Sequence, residues 1–443
     1  MKKIYLFACL SLFVYACKDL DIRPDSSIIM PETIADFEQL LEHAAVTTTP
    51  ALPHIASDEY FLPDYETWQS LFSNVQRNAY VWENDVYTGE LNVSDWNDCY
   101  KGIFHCNTVL DHAHVIEDEG QRRWIEGWAL FARAYLFHAL ATTFAGTYDP
   151  ATADKTTGIP IRLTSGVDVV VNPSTLADTY RQIIDDATAA IELLPNEQPY
   201  EDERNRPSKA AGYALLARVH LNMGDYQLAE EFSDKALEAY DVLIDYNTLD
   251  TNAQSAFTYN SQETIYFSRM VYGYIAYGNM TIYGVDTALL ALYPENDLRL
   301  PVYFATNTIG NHIIKPINTL TGLPFTGLAT DEIYLIKAEC LARQGNTPDA
   351  LEYLNKLVES RVRKGTFSPI DVETAEEALN LILQERRKAL VWRCIRWSDL
   401  KRLNHEGHAI TLKRVLNGRE YVLPPNDSRY TFPFPEQGLD SVN

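Results

Sequence analysis

The stretch CYKGIFHCNTVLDHAH, residues 99–114, carries the residue types that bind transition metals. Cys99 and Cys106 are seven residues apart, as are His105 and His112, so each pair follows one face of a helix. A structural zinc needs about four ligands converging on one point. The Cys face and the His face are offset by about 100°, so the spacing predicts core and surface positions and no metal site. No motif that brings its own catalytic geometry is present: no Gly-x-Ser-x-Gly elbow, phosphate loop, His-Glu-x-x-His or dinucleotide fingerprint. The 61 acids could supply the two carboxyls of a glycosidase, but that chemistry needs a fixed separation in space. The expectation is a chain with no catalytic residue and no cofactor.

A second candidate is QERRKALVWRCIRWSDLKRL, residues 384–403, with seven Lys/Arg, two acids and two Trp. Basic residues with aromatics between them suit a nucleic-acid groove. On a helical wheel, however, Leu379, Ile382, Arg386, Ala389, Leu390, Arg393, Trp397 and Leu400 share one broad face. Arg386 and Arg393 then lie inside an apolar stripe, where an unpaired charge is very costly. The stretch is read as a structural helix whose Arg residues need carboxylate partners. A net charge of −24 also argues against a nucleic-acid or anionic-membrane surface.

The third candidate set is aromatic. Tyr65 and Trp68 lie in DYETWQSLF, and Tyr80, Trp82 and Tyr87 in NAYVWENDVY. Tyr272, Tyr274, Tyr277 and Tyr283 lie in VYGYIAYGNMTIY. Sugar rings present flat C–H faces on which amphipathic aromatics stack, and neighbouring Asn, Asp and Gln can meet the hydroxyls. Tyr65, Trp68, Trp82, Tyr274, Tyr277 and Tyr283 are the candidate ligand-binding residues. The alternative for each ring is core packing.

These residues need elements to hold them. Residues 33–43 read as a short helix, 46–66 as loop, and about 94–115 and 121–144 as helices. KAAGYALLARVHLNMGDYQLAEEFSDKALEAY, residues 209–240, has small and apolar residues at three- and four-residue steps on both sides of Gly224. It resembles a tetratricopeptide helix–turn–helix. A second copy follows 121 residues later, aligning Tyr213 with Tyr334, Ala217 with Ala338, Gly224 with Gly345 and Ala229 with Ala350. A third pair is split by a loop at roughly 146–173, and a fourth falls at 375–403. The fold class is mainly α: a tetratricopeptide-like helical-pair scaffold with long loop insertions, at about 45–93 and 244–328, and a few short strands.

The chain opens with Lys2 and Lys3, then an apolar run from Ile4 to Val14 that is too short to span a bilayer. It ends in VYAC. A small residue before Cys resembles a bacterial lipobox, which would make 1–16 a removed signal peptide and Cys17 the lipidated first residue of the mature chain. Residues 17–32 then read as an extended leader and 33–443 as a single helical domain. Four Cys remain, Cys99, Cys106, Cys340 and Cys394, and they form no dense disulfide framework.

In order along the chain, several segments resemble the SusD/RagB family of Bacteroidetes surface lipoproteins. They are Cys17; DWNDCYKGIFHCNTVL with Trp96, Tyr100, Ile103 and Asn107; ARAYLFHALATTFAG followed by GIPI; RPSKAAGYALLARVHLNMGDY; TALLALYPENDLR; EIYLIKAECLARQG; and ERRKALVWRCIRWSDLKR. The chain departs from the family pattern at Ala389 and Arg393, where Glu is usual, at Cys394, where Gly is usual, and at Ala329, where Arg is usual. The closing PEQGLDSVN also departs from the usual Asn-Pro ending. The resemblance implies a SusD-like fold and a lipid-anchored, surface-exposed outer-membrane protein. It implies capture of an oligosaccharide, or a peptide in some relatives, for a SusC-like TonB-dependent transporter.

Overall fold

In the computed structural model of the chain, the described residues are 30–166, 169–257, 261–272, 283–315 and 323–436. Cys17, Tyr274 and Tyr277 lie outside them. Among the described residues, ten helices have eight or more residues. They are α1 Ile34–Leu41, α2 Ser94–His112, α3 Glu119–Phe144, α4 Leu176–Leu193 and α5 Lys209–Met223. The rest are α6 Tyr226–Ala239, α7 Thr330–Arg343, α8 Thr347–Glu359, α9 Ala375–Ala389 and α10 Arg396–His405. The mainly helical expectation holds.

The two-copy repeat forms as two helical pairs. α5 turns into α6 at Gly224 (φ +74°), and α7 turns into α8 at Gly345 (φ +82°). Both turns need the left-handed backbone that Gly adopts without a Cβ penalty. Ala217, Ala229, Ala338 and Ala350 are all fully buried, so the small residues let paired helices approach. α6 packs on α7 and so joins the pairs, while α3–α4 and α8–α9 extend the stack on either side.

Between the pairs, the insertions are laced together by very short ladders. Thr48–Thr49 pairs in parallel with Arg269–Met270, and Tyr60–Phe61 pairs antiparallel with Gly284–Val285. Thr264–Tyr266 pairs with Leu328–Ala329. The two insertions thus hold each other. The loop expected at 46–66 is not all loop. It contains a short helix, Leu52–Ala56, which accepts Pro53 in its first turn because no helical N–H is needed there.

Residues 375–403 form two helices, not the continuous one that the wheel assumed. The chain turns at 390–395, where Trp392 (φ +64°) and Cys394 (φ +59°) take left-handed backbone. No Gly or Pro announces this turn. Cys394 occupies the position where the family pattern has Gly, the residue that conformation favours.

Both Arg residues still point inward and find acids. Arg386 Nε donates to Asp399 at 2.8 Å, and Arg393 Nη1 donates to Asp331 at 2.8 Å, with Glu332 at 3.6 Å. Arg218 of α5 makes two bonds to Glu332, at 2.8 and 2.6 Å. Arg402 reaches Glu339 at 2.5 Å, and Arg387 and Arg396 share Asp58. Lys388 meets Glu385 at 2.6 Å. Lys401 differs: its ammonium donates to the carbonyls of Thr142 and Ala145 at the C-terminal end of α3, at 3.0 and 2.7 Å. Among the described residues it has no carboxylate partner, and burial pushes its pKa down to about 7.

Two predictions follow from this network. Burial pushes the Glu332 carboxyl up, but Arg218, with Arg393 behind it, more than offsets this and holds it below the usual range. Glu332→Gln should therefore leave two buried guanidinium groups short of charge and cost about 3–5 kcal/mol in chemical denaturation. For Lys401, the unfolded amine (pKa about 10.4) binds more protons than the folded one between about pH 7 and 10. Its contribution to stability therefore rises with pH across that window. The stability difference between wild type and Lys401→Met should shift in favour of wild type from pH 6 to pH 9; a pH-independent difference would show that the amine is not desolvated.

Candidate functional site

The insertion around residues 60–90 places its aromatics in two environments. Asp64 caps the short helix Tyr65–Ser70 by accepting from Thr67 N at 2.7 Å. That helix sets Tyr65 and Trp68 three residues apart on one face, with ring centroids 5.3 Å apart and planes inclined by 29°. Both rings are half-buried. Trp68 Nε1 donates to Arg77 O at 3.0 Å, tying the pair to the next helix, Asn74–Tyr80. Gln69 donates to the Tyr65 hydroxyl at 3.0 Å. Phe72, two positions past the helix, is 82 % exposed. The result is a fixed platform of two stacked, half-buried rings packed against the core and edged by an amide.

Trp82 and Tyr283 lie elsewhere, and their expected role as ligand-stacking rings is corrected by their burial. Trp82 is 4 % exposed and its indole N–H donates to Ala56 O at 2.9 Å. Tyr283 is 1 % exposed and stacks on Trp392 at 5.6 Å. Both belong to a packed aromatic cluster with Tyr60, Tyr80 and His54. The Arg414 guanidinium lies 3.6 Å from the Tyr80 ring centroid and 4.7 Å from that of Trp82. These rings hold the insertions to the scaffold and leave no free face. Tyr80 and Tyr87 are buried too, whereas Tyr272 is 81 % exposed.

A cavity of about 190 Å³ opens between the turn at 82–88 and residues 428–433. Glu83, Asn84, Ser428 and Arg429 line it, and sequence reading did not single them out. Their juxtaposition depends on the C-terminal segment returning to the insertion, which no local pattern encodes. A smaller internal cavity of about 50 Å³ touches His138, Arg218, Asn222 and Arg393; it has room for a few waters.

The metal-type residues are dispersed. Cys99 is buried with its Sγ 3.6 Å from Thr48 O, Cys106 is buried, and His105 stacks on His43 at 4.4 Å between centroids. Among the described residues, no three His, Cys, Asp or Glu side chains cluster as metal ligands.

Two family models match the chain. One, described as "Starch-binding associating with outer membrane", covers residues 18–221, and the other, "SusD family", covers 330–437. The chain belongs to the SusD/RagB family. A relative from Formosa agariphila, "SusD-like protein P2", is 27 % identical over 376 residues, spanning 70 % of this chain and 71 % of that one. A solved SusD-like carbohydrate-binding protein from Bacteroides vulgatus superposes with a TM-score of 0.68 at 18 % identity, covering 93 % of this chain and 97 % of its own. A SusD superfamily protein from Bacteroides thetaiotaomicron gives a TM-score of 0.72 at 19 % identity, covering 92 % and 98 %. These solved structures share the SusD fold.

The family's motif residues have structural roles here. Asn107 of α2 accepts from Arg133 of α3 at 2.8 Å, and the same guanidinium makes two 2.8 Å bonds to Asp186 of α4. The Asp-x-Arg segment closes on itself, with Arg299 donating to Asp297 through Nε at 2.9 Å and also meeting Glu385.

If the Trp82 cluster is packing, Trp82→Ala should cost about 3–5 kcal/mol. Tyr283→Phe should change stability by less than about 1 kcal/mol, because its buried hydroxyl has no hydrogen-bond partner among the described residues. Denaturation midpoints check both. A Trp82→Ala protein as stable as its parent would return that ring to the ligand set.

Proposed function

We propose that this SusD/RagB-family chain is a glycan-binding lipoprotein of the outer-membrane surface. It captures an oligosaccharide and delivers it to a TonB-dependent transporter, without catalysing a reaction. The observation that carries this reading is the Tyr65–Trp68 platform, a fixed pair of aromatic faces held on an insertion of the helical scaffold. A glycan laid on those faces buries its C–H surface while its hydroxyls reach Gln69 and solvent. The family description, which joins starch binding to outer-membrane association, supports both the ligand class and the location.

The lipobox at Cys17 supports a lipid anchor. No helix among the described residues is long and apolar enough to cross a membrane, so under this reading attachment rests on the acylated Cys17 and on the transporter partner. Tyr274 and Tyr277, in the second insertion of the sequence, remain proposed ligand residues in addition to Tyr65 and Trp68.

Calorimetric titration with a panel of oligosaccharides tests the reading. Tyr65→Ala and Trp68→Ala should each weaken binding by about tenfold, or about 1.4 kcal/mol, measured at a temperature where circular dichroism shows both variants folded. Unchanged affinity in both variants would remove the platform from the site. Release of new reducing ends during incubation would replace a binding protein with an enzyme.

A further inference from the structure

We infer that the cavity between the 82–88 turn and residues 428–433 is a second subsite, which takes one neutral sugar residue. The inference rests on the glycan-binding reading above and adds to it a place and a charge preference.

The cavity has fixed walls. Arg429 is locked on all sides: Nε and Nη2 each donate to Asp427 at 2.8 Å, Nη2 also to Val422 O at 3.0 Å, and Nη1 to Trp82 O at 3.3 Å. Tyr87 donates its hydroxyl to Pro433 O at 2.6 Å, which pins the turn to the C-terminal segment. Within the turn, Asn78 Nδ2 holds the carbonyls of Asp85 and Val86 at 3.2 and 3.1 Å. The volume of about 190 Å³, half open to solvent, therefore does not depend on a loose loop.

The groups at its mouth are free to hydrogen-bond, although the Glu83 carboxylate already acts electrostatically on Arg429. Glu83, Asn84 and Ser428 are exposed, and none of their side chains donates or accepts a hydrogen bond with another described residue. They offer a carboxylate acceptor, an amide with both functions and a hydroxyl with both. Val86 and Phe432 supply an apolar wall behind them. The lining is more polar than apolar, and these convergent donors and acceptors match the adjacent hydroxyls of a pyranose.

Charge narrows the class. Arg429 is the one cation lining the cavity among the described residues, and Asp427 neutralises it in a two-point ion pair. Glu83 then leaves the cavity with net negative character, on a chain already at −24. A uronate or sulfated sugar would meet like charge there, whereas a neutral sugar would lose nothing.

The test uses the full mature chain and titrates two probe sets, neutral gluco- and xylo-oligosaccharides and galacturonan oligomers. The double variant Glu83→Ala/Asn84→Ala should weaken the neutral ligand by roughly tenfold at unchanged melting temperature. Trp68→Ala should add its own loss independently. Galacturonan should bind worse than the neutral ligand, and Glu83→Gln should narrow that gap. If the double variant binds like wild type while Trp68→Ala still weakens binding, the cavity is no subsite and the platform reading survives. If galacturonan binds as well as the neutral ligand, the charge assignment is overturned. If wild type binds no glycan of either set, the glycan reading fails along with the subsite.

Discussion

A buried guanidinium must meet a carboxylate, and in this molecule that requirement decides which elements can be neighbours. Arg133 joins α3 to Asp186 of α4 and Asn107 of α2. Arg218 joins α5 to Glu332 of α7, Arg402 joins α10 to Glu339 of α7, and Arg361 reaches Glu263 in the second insertion at 2.6 Å. The net gain from each pair is modest once desolvation is counted, but losing one partner strands a charge. The network therefore penalises wrong packing more than it stabilises the right one. α7 is its centre, with Glu332 and Glu339 fully buried on a helix that packs against α5, α6, α8 and α9.

The same constraint sets how the ligand-facing insertions are held. Arg387 and Arg396 converge on Asp58, just before the Tyr60–Phe61 strand that pairs with Gly284–Val285. Burial pushes the Asp58 carboxyl up, and Arg396, with Arg387, outweighs this and holds it well below the usual range. Arg414 is packed among Tyr60, Tyr80 and Trp82 while donating to the carbonyls of Tyr80, Ile55 and Ser57. The insertion that bears the Tyr65–Trp68 pair is thus fastened from below by charge and from the side by aromatics. A two-residue ladder alone would be too weak to fix it.

Much of the scaffold was legible in the sequence because it is periodic. The 121-residue repeat, with its Gly224 and Gly345 turns and buried Ala positions, emerged as two helical pairs. The inward placement of Arg386 and Arg393 also came through, although their partners, Asp399, Asp331 and Glu332, could not be named from one strand of sequence. The break at 390–395 was hidden because its left-handed positions are Trp392 and Cys394 and not glycine. The site was less legible. Position in a long insertion reads as exposure, and Tyr65 and Trp68 are half-buried there. That reading fails for Trp82 and Tyr283, because the insertions pack directly on the scaffold and these rings join its main core.

That shared core bears on how such a protein can diversify. Residues that face the scaffold from the insertion, such as Trp82, Tyr80 and Tyr283, are tied to Trp392, Arg414 and the ion-pair network, so changing them disturbs the fold. Residues on the outer side, such as Gln69, Phe72, Glu83 and Asn84, make few or no bonds to the rest of the molecule, so changing them alters only what the surface recognises. The boundary runs through single motifs: in NAYVWENDVY, Tyr80, Trp82 and Tyr87 are buried while Glu83, Asn84 and Asp85 are exposed. The surface can therefore change at the three consecutive positions 83–85 of one short segment without loosening the packing that presents them. In this segment the conspicuous aromatics serve the packing, and the polar residues between them face solvent.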